Sequence, residues 1–185
     1  MQFLLIVFLS IIVIILILVI ICLVIHFGKV SLVNNMYKNV TTLLKKIQKE
    51  DKGNDLKIIT PEKKSKRLTQ TYDYILETKN NKYYIKVIPN FENHEICINN
   101  SVKWQIRRSI NDNTMNFVQN IEGLMRFEAN KQDEKKIRKL YIIYPSSKSL
   151  LRYINECEME FVKKDTDVYG CNVVTYKQMY EEHNK

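Results

Sequence analysis

The sequence predicts an α/β protein, with an N-terminal transmembrane helix followed by a mixed β-sheet domain with flanking helices. Three observations predict it. The first 28 of 185 residues contain no Lys, Arg, Asp or Glu. Short runs rich in Tyr, Ile and Val alternate further on with helical-period segments. The whole chain is 45% hydrophobic and 26% charged with only four Gly and three Pro, which excludes collagen-like, low-complexity and wholly disordered classes.

The apolar run extends from Phe3 to Phe27, broken by Ser10 and His26. At about 1.5 Å per residue such a helix exceeds the ~30 Å hydrocarbon core. A signal peptide has a basic residue before an apolar stretch of about 7–15 residues. Neither feature is present, and no small-x-small cleavage pattern follows Phe27. The run therefore reads as a retained bilayer span over residues 1–28. Lys29, Lys38, Lys45, Lys46 and Lys49 all lie on its C-terminal side. The excess of positive charge on the cytoplasmic flank of spans then places the remainder of the chain in the cytoplasm, as a single-pass protein of the cell membrane. Cys97, Cys157 and Cys171 are too far apart for a disulfide framework or a zinc spacing, which agrees with a reducing compartment.

Residues 29–70 are the basic part of the chain. Positions 29–69 hold 11 basic and 4 acidic residues, against 18 and 16 in positions 70–185. The charge excess thus adjoins the span, whereas a nucleic-acid enzyme carries its basic surface on the folded domain. Leu32, Val33, Met36, Tyr37, Val40, Leu43, Leu44 and Ile47 recur at helical spacing, so residues 31–50 read as an amphipathic juxtamembrane helix. Its apolar stripe packs on the following domain, self-associates or meets a protein partner, or lies on anionic lipid. Residues 52–70, with Gly53, Pro61 and the cluster Lys63, Lys64, Lys66 and Arg67, read as a charged linker. Anionic lipid head groups attract such a cluster, each cation contributing about 1 kcal/mol near the surface.

Residues 71–185 form the globular domain. Residues 72–77 and 83–88 are rich in strand formers and flank Asn80-Asn81, which suits a two-residue hairpin turn. Residues 95–99 are a third strand. Residues 114–128 read as a helix through Met115, Val118, Ile121, Leu124 and Met125. Residues 139–144 are an apolar strand, followed by Pro145-Ser146 and a helix turning Leu150, Leu151 and Ile154 inward. Residues 159–162 and 172–176 are further strands, and residues 177–182 a short helix.

A helix, a three-strand meander, a helix and a central strand resemble the core of the PD-(D/E)XK, or restriction-endonuclease-like, superfamily. The resemblance implies a Mg²⁺-dependent nuclease, with one Asp on a hairpin strand and an acid-x-Lys triplet on the next. Asp73 matches the first acid and Lys86 the lysine, while Tyr84 stands at the second acid. With Asn80-Asn81 as the turn, Glu77 falls opposite Tyr84 and shares a face with Asp73 and Lys86. Asp73 and Glu77 are then the candidate Mg²⁺ ligands, and Asp73, Glu77 and Lys86 the candidate catalytic set. Lys103, Trp104, Arg107 and Arg108 place an aromatic ring among cations, which suits nucleic acid. The sequence supports two leading functions: a membrane-anchored, non-catalytic binding module with a degenerate nuclease-like fold, and a membrane-tethered metal-dependent nuclease. A purely structural membrane subunit is the third.

Overall fold

The computed structural model describes residues 2–50, 53–58, 72–111, 114–125, 136–155, 158–163 and 166–184. The chain divides into two units, Met1–Asn39 and Val40–Lys185. Helix α1 (Gln2–Glu50) is continuous, with no break between the apolar run and the basic helix expected after it. Gly28 does not interrupt it, since one glycine costs a helix only about 1 kcal/mol. Residues 11–28 are exposed at every position, and the helix is long and apolar enough to cross a membrane.

In the second unit, ten strands form two five-stranded mixed sheets. The first sheet has the order β1 (Asp55–Ile58), β2 (Tyr74–Glu77), β3 (Asn81–Pro89), β7 (Lys136–Tyr144), β10 (Cys171–Thr175). The second has the order β6 (Thr114–Asn120), β5 (Trp104–Asn111), β4 (Glu95–Ile98), β8 (Ser149–Tyr153), β9 (Met159–Phe161). Strands β3 and β7 run parallel in the first sheet, and their continuations β4 and β8 run parallel in the second. Two adjacent segments thus cross together from one sheet to the other. Asn90 ties the crossing: its Nδ2 donates to the Ser146 carbonyl (3.0 Å) and its backbone N–H to the Tyr144 carbonyl (2.8 Å). Ser147 Oγ donates to the His94 carbonyl at 2.9 Å.

The core lies between the sheets. Ile88, Tyr141, Ile143, Cys171 and Val173 of the first meet Ile96, Ile98, Trp104 and Leu150 of the second. Alternation turns Tyr74, Leu76, Ile85, Val87 and Ile142 to the first sheet's other face. There α2 (Tyr176–His183) and the last turns of α1 cover them. Val40, Leu43 and Leu44 are buried, and Thr41 Oγ1 lies 3.0 Å from the Tyr74 hydroxyl. This part of the predicted stripe therefore packs on the domain. Helix α2 begins at Thr175, whose side chain accepts from Gln178 N–H, while the Gln178 side chain accepts from Thr175 N–H in return.

Four sequence expectations need correction. The hairpin turns at Lys79-Asn80, not Asn80-Asn81, because Thr78 and Asn81 close the turn through Thr78 N–H to the Asn81 carbonyl (2.8 Å) and Asn81 N–H to Thr78 Oγ1 (3.1 Å). Residues 114–120 are strand β6, not a helix, paired with β5 through Arg107↔Val118 and Arg108↔Phe117. Residues 149–153 are strand β8, not a helix. Part of the expected linker is strand β1, paired antiparallel with β2; the cluster Lys63, Lys64, Lys66 and Arg67 lies outside the described residues. The meander–helix–strand order expected of a restriction-endonuclease-like core is thus not what residues 95–153 adopt, since β4 belongs to the second sheet.

Candidate functional site

Strands β2 and β3 place the predicted catalytic residues. Asp73 immediately precedes β2, where its N–H donates to the Ile85 carbonyl at 2.7 Å. Its carboxylate is 3% exposed: Oδ2 accepts the Val87 N–H at 2.9 Å, and Oδ1 stands 3.6 Å from Lys86 Nζ. These contacts fasten the end of the β2–β3 ladder. Glu77 pairs in register with Lys82, not Tyr84, because the turn sits one position earlier than expected. Its Oε1 lies 3.6 Å from Lys57 Nζ and 3.8 Å from Lys82 Nζ. Ile75 takes the position opposite Tyr84.

Asp73, Glu77, Lys82, Tyr84 and Lys86 do share a face, as alternation requires, because a register change of two residues preserves it. They do not converge. Asp73 and Glu77 are four residues apart along extended chain, about 13 Å between their Cα atoms, too far to hold one cation together. No group of three His, Cys, Asp or Glu among the described residues is arranged to hold a metal. One Asp carboxylate already bonded to Val87 N–H and Lys86 does not fit a Mg²⁺ site, which needs several free oxygen ligands. Between the two acids, Tyr84 packs edge-on against Tyr72, with ring centroids 4.8 Å apart, and Lys82 lies over the Tyr84 ring. Burial, then the neighbouring Tyr84, raises the Tyr72 pKa above the ordinary phenol value.

The predicted basic-aromatic set also separates. Trp104 is a core side chain with no exposed surface; its Nε1–H donates to the Asn100 carbonyl at 3.0 Å, and its ring packs 4.4 Å from that of Tyr141. No face of it is open to a base. Lys103 and Arg108 are exposed. Arg107 lies on the opposite face of the second sheet from Trp104. Its guanidinium donates to the Tyr153 hydroxyl (2.6 Å) and Gln105 Oε1 (3.1 Å), with its carbon 5.4 Å from the Tyr153 ring.

That outer face of the second sheet is the feature that sequence reasoning missed. In-register pairing sets Arg107 beside Val118 and Glu95, Leu151 beside Phe161, and Tyr153 beside Met159. Val118 is 51%, Met159 43% and Phe161 70% exposed. The alternation Met159-Glu160-Phe161 carried the signal, since both apolar residues must share one face of the strand. Comparison with known protein families, with curated proteins and with solved structures returns no match for this chain.

Proposed function

We propose that this chain is a membrane-anchored, non-catalytic binding module. It is held in the cell membrane by the Phe3 to Phe27 helix, with residues 40–185 on the cytoplasmic side, and engages a protein partner through the outer face of the second sheet. The observation that carries the reading is the separation of Asp73, Glu77 and Lys86. Asp73 and Lys86 neutralise one another inside the ladder, and Glu77 is held elsewhere by Lys57 and Lys82. The nuclease reading needs these three to meet.

The composition of the outer face supports a protein occupant. Tyr, Arg, Met and Phe are the types enriched at the centres of protein interfaces. The Arg107 side chain's hydrogen bonds among the described residues go to the neutral groups of Tyr153, Gln105 and Met159, while Glu95 is its in-register neighbour, so a carboxylate presented by a partner would compete with neutral groups for the guanidinium. The partner is thus a protein surface with an apolar centre and an acidic group beside it.

The test is a photo-crosslinking amino acid at position 161 of the full chain, irradiated in native membranes, with position 177 on α2 as control. A discrete protein adduct is expected from position 161 alone, and Arg107→Glu should abolish it. An adduct pattern equal to that of the control, or indifferent to Arg107→Glu, refutes the reading.

A further inference from the structure

A second feature lies on the other side of the domain. Between the last turns of α1, helix α2 and the outer face of the first sheet there is a cavity of about 540 Å³. Small-molecule sites typically enclose about 300–1,000 Å³. Its walls are chiefly apolar. Leu76 (β2), Leu140 (β7) and Val174 (β10) come from the sheet, and Leu44 and Met179 from the two helices. Register explains the sheet's contribution: Leu76 pairs with Tyr83, Tyr83 with Arg138, and Leu140 with Asn172, so all of them project to this face.

The cavity's cation is Arg138. Its Nε donates to Asn81 Oδ1 at 3.4 Å, and among the described residues no carboxylate pairs with its guanidinium. The one carboxylate in the lining, Glu182, belongs to α2. His183, also in the lining, is engaged by Glu50 at 2.7 Å, and its carbonyl accepts from Lys46. A chiefly apolar, half-open cleft whose guanidinium, among the described residues, meets no carboxylate suits a ligand that is apolar along its length and anionic at one end.

We propose that this cavity binds a single-chain anionic amphiphile, with its hydrocarbon chain against Leu44, Leu76, Leu140, Val174 and Met179. Its carboxylate or phosphate-monoester head group meets Arg138. The proposal is independent of the protein-partner reading, since the two faces belong to different sheets. Each methylene buried gains about fourfold in binding, and the charge-assisted hydrogen bonds at Arg138 fix which end of the ligand lies there. A membrane-tethered chain meets such amphiphiles as they partition into the bilayer.

The experiment uses the full chain in lipid nanodiscs with a diazirine analogue of dodecanoic acid, irradiated and mapped by peptide mass spectrometry. Adducts are expected at Leu140, Val174 or Met179. Arg138→Gln should lower them about tenfold, the loss of a hydrogen bond to a charged group. Arg138→Lys should retain them and so shows that any loss in the Gln variant is not a folding failure. Leu140→Trp, which fills the cavity, should abolish them. Unlabelled dodecanoate and dodecyl phosphate should compete better than dodecanol, and the better of the two identifies the head group. Adducts confined to residues 3–27, or cavity adducts that ignore Arg138→Gln and are competed equally by dodecanol, overturn the proposal.

Discussion

Asp73 and Lys86 are partners across the β2–β3 ladder, 3.6 Å apart, with Asp73 also accepting the Val87 N–H at 2.9 Å. The pair most suggestive of catalysis in the sequence is a structural fastener. Removing its acceptor alone leaves a buried N–H and a largely buried ammonium uncompensated. Asp73→Ala should therefore lower stability by about 3 kcal/mol, and Lys86→Met, which keeps the Val87 bond but leaves the buried Asp73 carboxylate without its cation, should cost about as much. Chemical denaturation of the full chain in detergent micelles measures both. An Asp73→Ala variant as stable as the parent would show that the fastener contributes nothing.

Much of the fold was legible where one period ran uninterrupted. The apolar run, the strands around Tyr83 to Ile88 and Tyr141 to Ile143, and helix α2 after Thr175 all emerge as expected. The failures have physical causes. Met115, Val118, Ile121, Leu124 and Met125 mimic a helical stripe, yet they span a strand and the irregular segment after it. Val118 is exposed, while Leu124 and Met125 enter the core and Met125 N–H donates to the Tyr141 hydroxyl at 2.7 Å. Leu150 and Leu151 read as one helix face but point to opposite faces of β8, and Ile154 is exposed. The site failed on one turn: Thr78 closes it a position earlier than Asn80-Asn81 suggested, and Glu77 moves from Tyr84 to Lys82. Trp104 was unreadable because its burial depends on Tyr141, contributed by the other sheet.

The uncharged run from Phe3 to Phe27 predicts that the chain remains with membranes through an alkaline carbonate wash. Because Lys29, Lys38, Lys45, Lys46 and Lys49 all follow the run, protease added to intact cells should leave residues 40–185 intact until the membrane is permeabilised. A soluble chain beginning near residue 29 would contradict the first expectation. Digestion of the domain in intact cells would contradict the second.

Two thiols should be inert in the native state. Cys97 and Cys171 are buried, and burial pushes the Cys171 pKa up to about 12, with Asp167 adding to the effect. Cys97 is raised for the same first reason. The thiolate is the reactive form, and at pH 8 a group with that pKa is ionised about once in ten thousand molecules, against roughly a quarter for a free cysteine. Alkylation of Cys171 by iodoacetamide should thus be more than about a hundredfold slower in the native chain than in the denatured one. Mass spectrometry of timed samples reads this out, and comparable native and denatured rates at Cys171 would place it at the surface.

His94 gives the domain a predictable response to acid. Its ring is buried against Phe91, with centroids 5.1 Å apart, beside the crossing that Asn90 and Ser147 hold together. Burial, then the positive charge of Arg108, lowers its pKa below the ordinary value near 6.5. The folded form therefore resists a proton that the unfolded chain accepts. Well above a pH of about 6.5 both forms are neutral at this residue and it contributes no pH dependence. As pH falls below that value, the unfolded chain binds more protons and folding stability declines. The decline at this residue ends only below its folded-state pKa, where both forms are protonated. Denaturation midpoints of the full chain at pH 7.5 and 5.5 should differ, with the lower midpoint at pH 5.5. His94→Gln, which cannot take up the proton, should show a smaller difference than the parent across the same interval. Carboxylates that titrate nearby are common to both chains, so the comparison isolates His94. An unchanged difference in the variant would mean that the ring is as easily protonated in the folded chain as in the unfolded one.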